Sequence, residues 1–191
     1  YPEFSNTITI LKNLIVSVCE SLASILNMQE VITDETEEYK KSIHFIEGAS
    51  RNNMPNTYKA LFIAQKYHEN QTRTSGDPFI IHPLRVCSYL MALGIDDDQT
   101  YAAALMHEIP QKCELPENGE EFIRNYGIDK EVIKVIRIVS DKNKPLDQYY
   151  QDIQENPRAL LEKLSNRVHT CTFLANASKE KLIAYTNENR D

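Results

Sequence analysis

The sequence has no tryptophan and only five glycines among 191 residues. Runs in which β-branched and polar residues alternate are also few. Both scarcities argue against a sheet, which needs such runs and the turn residues that join them. No stretch of about 18 uninterrupted apolar residues occurs, so no transmembrane helix is expected. The N-terminal segment shows no basic stretch leading into an apolar core, the pattern of a signal peptide. Basic residues are outnumbered, 21 Lys and Arg against 28 Asp and Glu, for a formal net charge of −7. That balance disfavours nucleic acid and anionic membrane as partners. The four cysteines, Cys19, Cys87, Cys113 and Cys171, are too scattered for a Cys-x-x-Cys motif. Three of them fall inside apolar helical patterns and read as buried free thiols in a reducing, cytoplasmic setting.

What is present is ordinary for a globular chain: 41% hydrophobic and 26% charged residues. The length suits one core, or one core with a helical arm. Apolar residues recur at helical spacing from Thr7 to Met28, through Leu11, Leu14, Ile15, Val18, Leu22, Ile25 and Leu26. Asp34 with Thr36, Glu37 and Glu38 suits the start of a second helix ending near Ile46. Further helices are predicted at about Asn56–His68, Ile81–Leu93, Asp97–Glu108, Gly119–Tyr126, Lys130–Ser140, Leu146–Gln154 and Pro157–Asn176. A short one closes the chain near Ser178–Asn187. Asp97 or Asp98 reads as an N-cap, and Ser75-Gly76-Asp77-Pro78 as a turn. The expectation is an all-α bundle of eight to ten helices, with residues 1–50 as an N-terminal helical extension packing on a domain at 51–191.

Three blocks then stand out in order. The first runs from Ala64 to Pro83 and contains His68, Gln71-Thr72-Arg73, Ser75-Gly76-Asp77-Pro78-Phe79 and His82-Pro83. The second is Ala102-Ala103-Ala104-Leu105-Met106-His107-Glu108, and the third Lys163-Leu164-Ser165-Asn166-Arg167-Val168-His169-Thr170. Together they resemble the signatures of the HD hydrolase domain of RelA/SpoT alarmone enzymes, over about residues 55–175. The resemblance implies an HD-domain bundle and metal-dependent hydrolysis of the 3′-pyrophosphate of guanosine tetra- or pentaphosphate. A divalent ion, most commonly manganese, would be held by two histidines and two carboxylates.

Carried over position by position, the implied metal residues are His82, His107, Glu108 and Asn166. Glu108 stands where the family has a shorter aspartate, and Asn166 where it has a charged one. Gln111 and Lys112 replace the acid/base Glu-Asp pair, and Pro110 disfavours helical geometry at Ile109. Arg73 and Thr170 fall at nucleotide-contacting positions. His68 and His44 read as surface or structural residues, and His169 as packing near the pocket. Acid/base help is typically worth about 10²–10⁴ in rate, so the expectation is a catalytically impaired, nucleotide-binding pseudo-hydrolase. Two other readings stand beside it. One is an active metal-dependent phosphohydrolase using Glu108 as ligand and another base such as Glu114. The other is a ligand-free interaction domain, without metal, in which Lys112 pairs with Glu108.

Overall fold

A computed structural model of the chain describes residues 53–73, 76–113, 119–141 and 143–174, together with Ile43, His44, Ile46 and Gly48. The helices predicted at Thr7–Met28 and Ser178–Asn187, most of the second one, and Glu114 lie outside the described residues. The chain divides into two compact units, residues 32–165 and residues 1–31 with 166–191.

The described residues form eight helical elements: α1 (Pro55–Tyr67), α2 (Ile81–Ala92), α3 (Asp98–Met106), α4 (Ile109–Lys112), α5 (Glu120–Tyr126), α6 (Lys130–Ser140), α7 (Leu146–Glu155) and α8 (Pro157–Leu174). Residues 157–165 of α8 belong to the larger unit and 166–174 to the smaller. Among the described residues the only sheet-like pairing is an isolated bridge, Thr72 to Pro78. The all-α expectation holds, and the predicted helices lie within a few residues of the observed ones. One differs in kind: the segment read as a single helix to Glu108 stops at Met106.

The larger unit is organised around α3, which packs against α1, α2 and α6. Every residue from Thr100 to Met106 is buried, as a helix apolar on all sides requires. Ala102, Ala103 and Ala104 are what make this possible, because their small side chains let neighbouring helices approach from several directions at once. α6 shows the opposite design. Val132, Ile133, Val135, Ile136 and Val139 are buried, while Lys134 and Arg137 face solvent. Its β-branched residues are poor helix formers, so burial of this stripe outweighs propensity.

The acidic run beside α3 does two jobs. Asp97 caps its own helix by accepting from the Thr100 N–H at 2.9 Å, and it holds Arg158 of α8 through bonds of 2.8 and 2.9 Å. Asp98 reaches instead to the start of α1, whose own N-cap residue, Met54, makes no side-chain cap bond. It accepts from the backbone N–H groups of Asn56 (3.0 Å) and Thr57 (2.7 Å) and from both of their side chains. Asn56 in turn accepts from the Asp129 N–H at 2.8 Å, at the start of α6. Three helix starts are thereby tied into one polar knot.

Burial alone would raise the Asp97 carboxyl, but its bonds from Arg158 and Thr100 outweigh that and hold it below the usual value. A depressed folded-state pKa contributes stability that is present above the unfolded value and lost as pH falls through the folded one. Asp97→Asn keeps a competent cap but loses the charge. Urea unfolding of the two proteins is expected to differ at pH 7, with the gap closing below about pH 4. A gap that stays constant to pH 3 would contradict this assignment.

Candidate metal centre

His82 reaches its place through a tightly closed loop. Phe79 N–H bonds the Gln71 carbonyl (2.9 Å), Arg73 N–H bonds the Asp77 carbonyl (2.8 Å), and Gly76 N–H bonds the Arg73 carbonyl (2.9 Å). Gly76 sits at φ 96, where a side chain would be strained. The chain then enters α2 with His82 in its first turn, followed by Pro83, whose missing N–H costs nothing there. His107 and Glu108 occupy a joint. α3 ends at Met106, and a one-turn helix begins at Ile109 with Pro110 in its first positions. The effect of Pro110 therefore falls one step earlier than the sequence implied. Ile109 is helical, and the break lies at His107–Glu108.

The joint and the first turn of α2 bring three ligand-type atoms together. His82 Nε2 and His107 Nε2 are 3.1 Å apart, and the Glu108 Oε1 atom lies 3.6 Å from the first and 3.5 Å from the second. Ligands about 2.0–2.2 Å from one ion lie roughly 3.0–3.5 Å from each other in octahedral or tetrahedral geometry. The three atoms fit the edges of such a polyhedron. His107 Nδ1 bonds the Ala104 carbonyl at 2.8 Å. A carbonyl only accepts, so Nδ1 carries the proton and Nε2 presents its lone pair to the shared point in the neutral ring.

The electrostatics agree with that geometry. Burial pushes His82 down to about 4, with its contact to Glu108 opposing only in part, so it is neutral near pH 7. Burial also acts to lower His107, but the charges of Glu162 and Glu108 and its hydrogen bonds outweigh this and raise it. Glu108 is driven up by burial and pulled down more strongly by both histidines, ending far below the ordinary carboxylate range. Two imidazoles and an ionised carboxylate, largely out of water, suit a divalent ion of intermediate softness.

The other predicted residues are placed less uniformly. Gln111 and Lys112 are exposed on α4. Lys112 Nζ stands over the Phe79 ring, 5.4 Å from its centroid, and its pairing with Glu108 is not found; Glu108 is engaged by the histidines instead. Arg73, half-buried, lies near enough for its charge to lower His82. Asn166 and Thr170 belong to the smaller unit, where the Thr170 hydroxyl donates to the Asn166 carbonyl at 2.9 Å. His44 is exposed. His68 is not on the surface: it is 3% exposed. Its Nδ1 meets Gln71 Oε1 at 3.0 Å and its ring packs on Phe79, centroids 4.8 Å apart. Phe79 in turn meets the His82 ring edge-on at 6.2 Å. Cys87 is buried and its thiol is pushed up by burial, whereas Cys113 and Cys171 are half-buried.

Sequence reasoning overlooked Glu162. It is fully buried, and its Oε1 lies 3.6 Å from His107 Nδ1. A signal was available, because Ala159 and Ser165, three residues away on either side, are buried on the same face of α8. A carboxylate on such a buried face needs a reason.

Residues 60–148 match the family profile described as an HD domain. The chain is 33% identical over 143 residues to a probable guanosine-3′,5′-bis(diphosphate) 3′-pyrophosphohydrolase of Mycoplasma pneumoniae, covering 66% of this chain and 19% of that one. It is 33% identical over 130 residues to a guanosine-3′,5′-bis(diphosphate) 3′-pyrophosphohydrolase of Aquifex aeolicus, covering 64% and 18%. A GTP pyrophosphokinase of Streptomyces coelicolor is 28% identical over 137 residues, covering 64% and 15%. The chain thus spans under a fifth of the length of these relatives. It carries an HD domain. That domain is of the RelA/SpoT type, and His82, His107 and Glu108 give it a group able to hold a metal ion.

Proposed function

We propose that this domain binds a divalent ion, manganese foremost, and a guanine nucleotide of the guanosine tetraphosphate class, and that it acts as a regulatory pseudo-hydrolase. The observation that carries this reading is a split within the site. The three ligand atoms are arranged for an ion, while the acid/base positions hold exposed Gln111 and Lys112 without a carboxylate. A bound ion supplies charge neutralisation for phosphate and acidifies water. The chain's own residues supply recognition: Lys112 brings positive charge over the ring of Phe79 and Arg73 brings it within electrostatic reach of His82, a set suited to phosphate.

Calorimetric titration with guanosine tetraphosphate tests the proposal. Binding is expected with Mn²⁺ and weaker binding without it, with release of pyrophosphate slower than the hydrolases by the 10²–10⁴ that acid/base groups typically supply. Absence of binding under both conditions would remove the reading. Brisk turnover that His107→Ala abolishes would replace it with an active metal-dependent phosphohydrolase.

A further inference from the structure

The described ligand group contains a single carboxylate, Glu108, for an ion of charge +2. The third signature block offers a neutral amide, Asn166, in place of a second. Yet the larger unit does hold a second buried carboxylate beside this group, on a different element from Glu108. Glu162 of α8 is 0% exposed and faces the side of the His107 ring opposite the ligand atom, with Oε1 3.6 Å from Nδ1. Nδ1 already bonds the Ala104 carbonyl at 2.8 Å, so the His107 ring is flanked by a fixed dipole and a carboxylate. On its other edge Nε2 points to His82 Nε2 and Glu108.

We propose that Glu162 is a positioning residue of the metal centre, the second anion of the site, acting through His107. This rests on the reading that an ion occupies the His82–His107–Glu108 group. Its contribution has two parts. The Ala104 carbonyl holds the proton on Nδ1, and the Glu162 carboxylate 3.6 Å behind it raises the basicity of the ring and makes Nε2 a better donor, as outer carboxylates do for metal-bound histidines. It also adds charge: Glu162 sets a second carboxylate near the group, where dielectric screening is weak.

The test is Mn²⁺ titration of the whole chain, by calorimetry and by the metal-induced rise in melting temperature, for wild type, Glu162→Gln and Glu162→Met. Gln keeps the shape and removes the charge; Met fills the space with no polar atom, so a folded variant is secured if the buried amide is not tolerated. The expected loss of Mn²⁺ affinity is about 10–100-fold in both, the range typical of outer-shell partners. Removing one partner of a buried pair lowers metal-free stability by itself, so each variant's metal response is read against its own metal-free melting temperature. Affinity falling in Glu162→Gln, which preserves the packing, while the variant keeps the wild-type circular dichroism spectrum is a signature that a packing role for Glu162 does not produce. A folded variant that binds Mn²⁺ within twofold of wild type overturns the inference. No Mn²⁺ binding by wild type is a different failure and overturns the reading of the site itself.

Discussion

Asp98→Ala is expected to lower the free energy of unfolding by about 3–4 kcal/mol, among the largest effects available outside the core. Its carboxylate accepts two backbone N–H groups from the first turn of α1 and two side-chain donors, from Asn56 and Thr57. Asn56 and Thr57 are themselves buried, at 9% and 0% exposure, so water cannot take over the abandoned donors. Loss of a cap costs about 0.5–2 kcal/mol, and bonds to an ionised partner are worth about 1.5–3 kcal/mol each before overlap between them is allowed for. Because the same knot holds the start of α6 through Asn56, the loss is not confined to one helix end. For a chain of this size the effect corresponds to a fall in melting temperature on the order of 10 °C. Asp98→Asn, which keeps an acceptor and the shape, should lose roughly half as much. A melting temperature within 2 °C of wild type for the alanine variant, read by circular dichroism, would show that α1 does not depend on this remote cap.

His107→Ala is expected to abolish the response to metal. His107 offers one of the three ligand atoms found among the described residues and has its orientation fixed by a backbone carbonyl, so its removal leaves His82 and Glu108. The loss of Mn²⁺ affinity should exceed the 10–100-fold typical of outer-shell changes. At an ion concentration 100 times the dissociation constant, binding adds about 2.7 kcal/mol to wild-type stability, a rise of roughly 5–10 °C for this chain length. The variant should show none of it. The metal-free variant also melts lower than metal-free wild type, since a fully buried ring leaves a void, so each protein is compared with and without Mn²⁺. Equal rises in wild type and His107→Ala would place the ion elsewhere.

Helix positions were legible because they rest on one-dimensional patterns. The stripe of Val132, Ile133, Val135, Ile136 and Val139 can be read at 3.6-residue spacing, and α6 has the predicted bounds. Pro110 announced a disturbance near Ile109, but a proline prefers the first turn of a new helix, and it took α3's continuation apart upstream of itself. Asp98 was legible as a cap but not as the cap of α1, 42 residues away, since a tertiary bond has no period. The candidate site divides in the same manner. His82, His107 and Glu108 were recognisable from motif order. The burial of His68 and the approach of Glu162 to His107 depend on how α1, α3 and α8 are folded, and Lys112 found an aromatic ring where sequence alone offered a carboxylate.

The exposure of Gln111 and Lys112 has an evolutionary consequence. Selection for the fold acts on the alanines of α3 and the polar knot at the helix starts, whereas Gln111 and Lys112 sit on an exposed face of a single helical turn. The two sets of residues do not overlap, so the turn can change in sequence without a toll on folding. Because both side chains face solvent, the packed interior sets no bar to exchanging either one for a carboxylate.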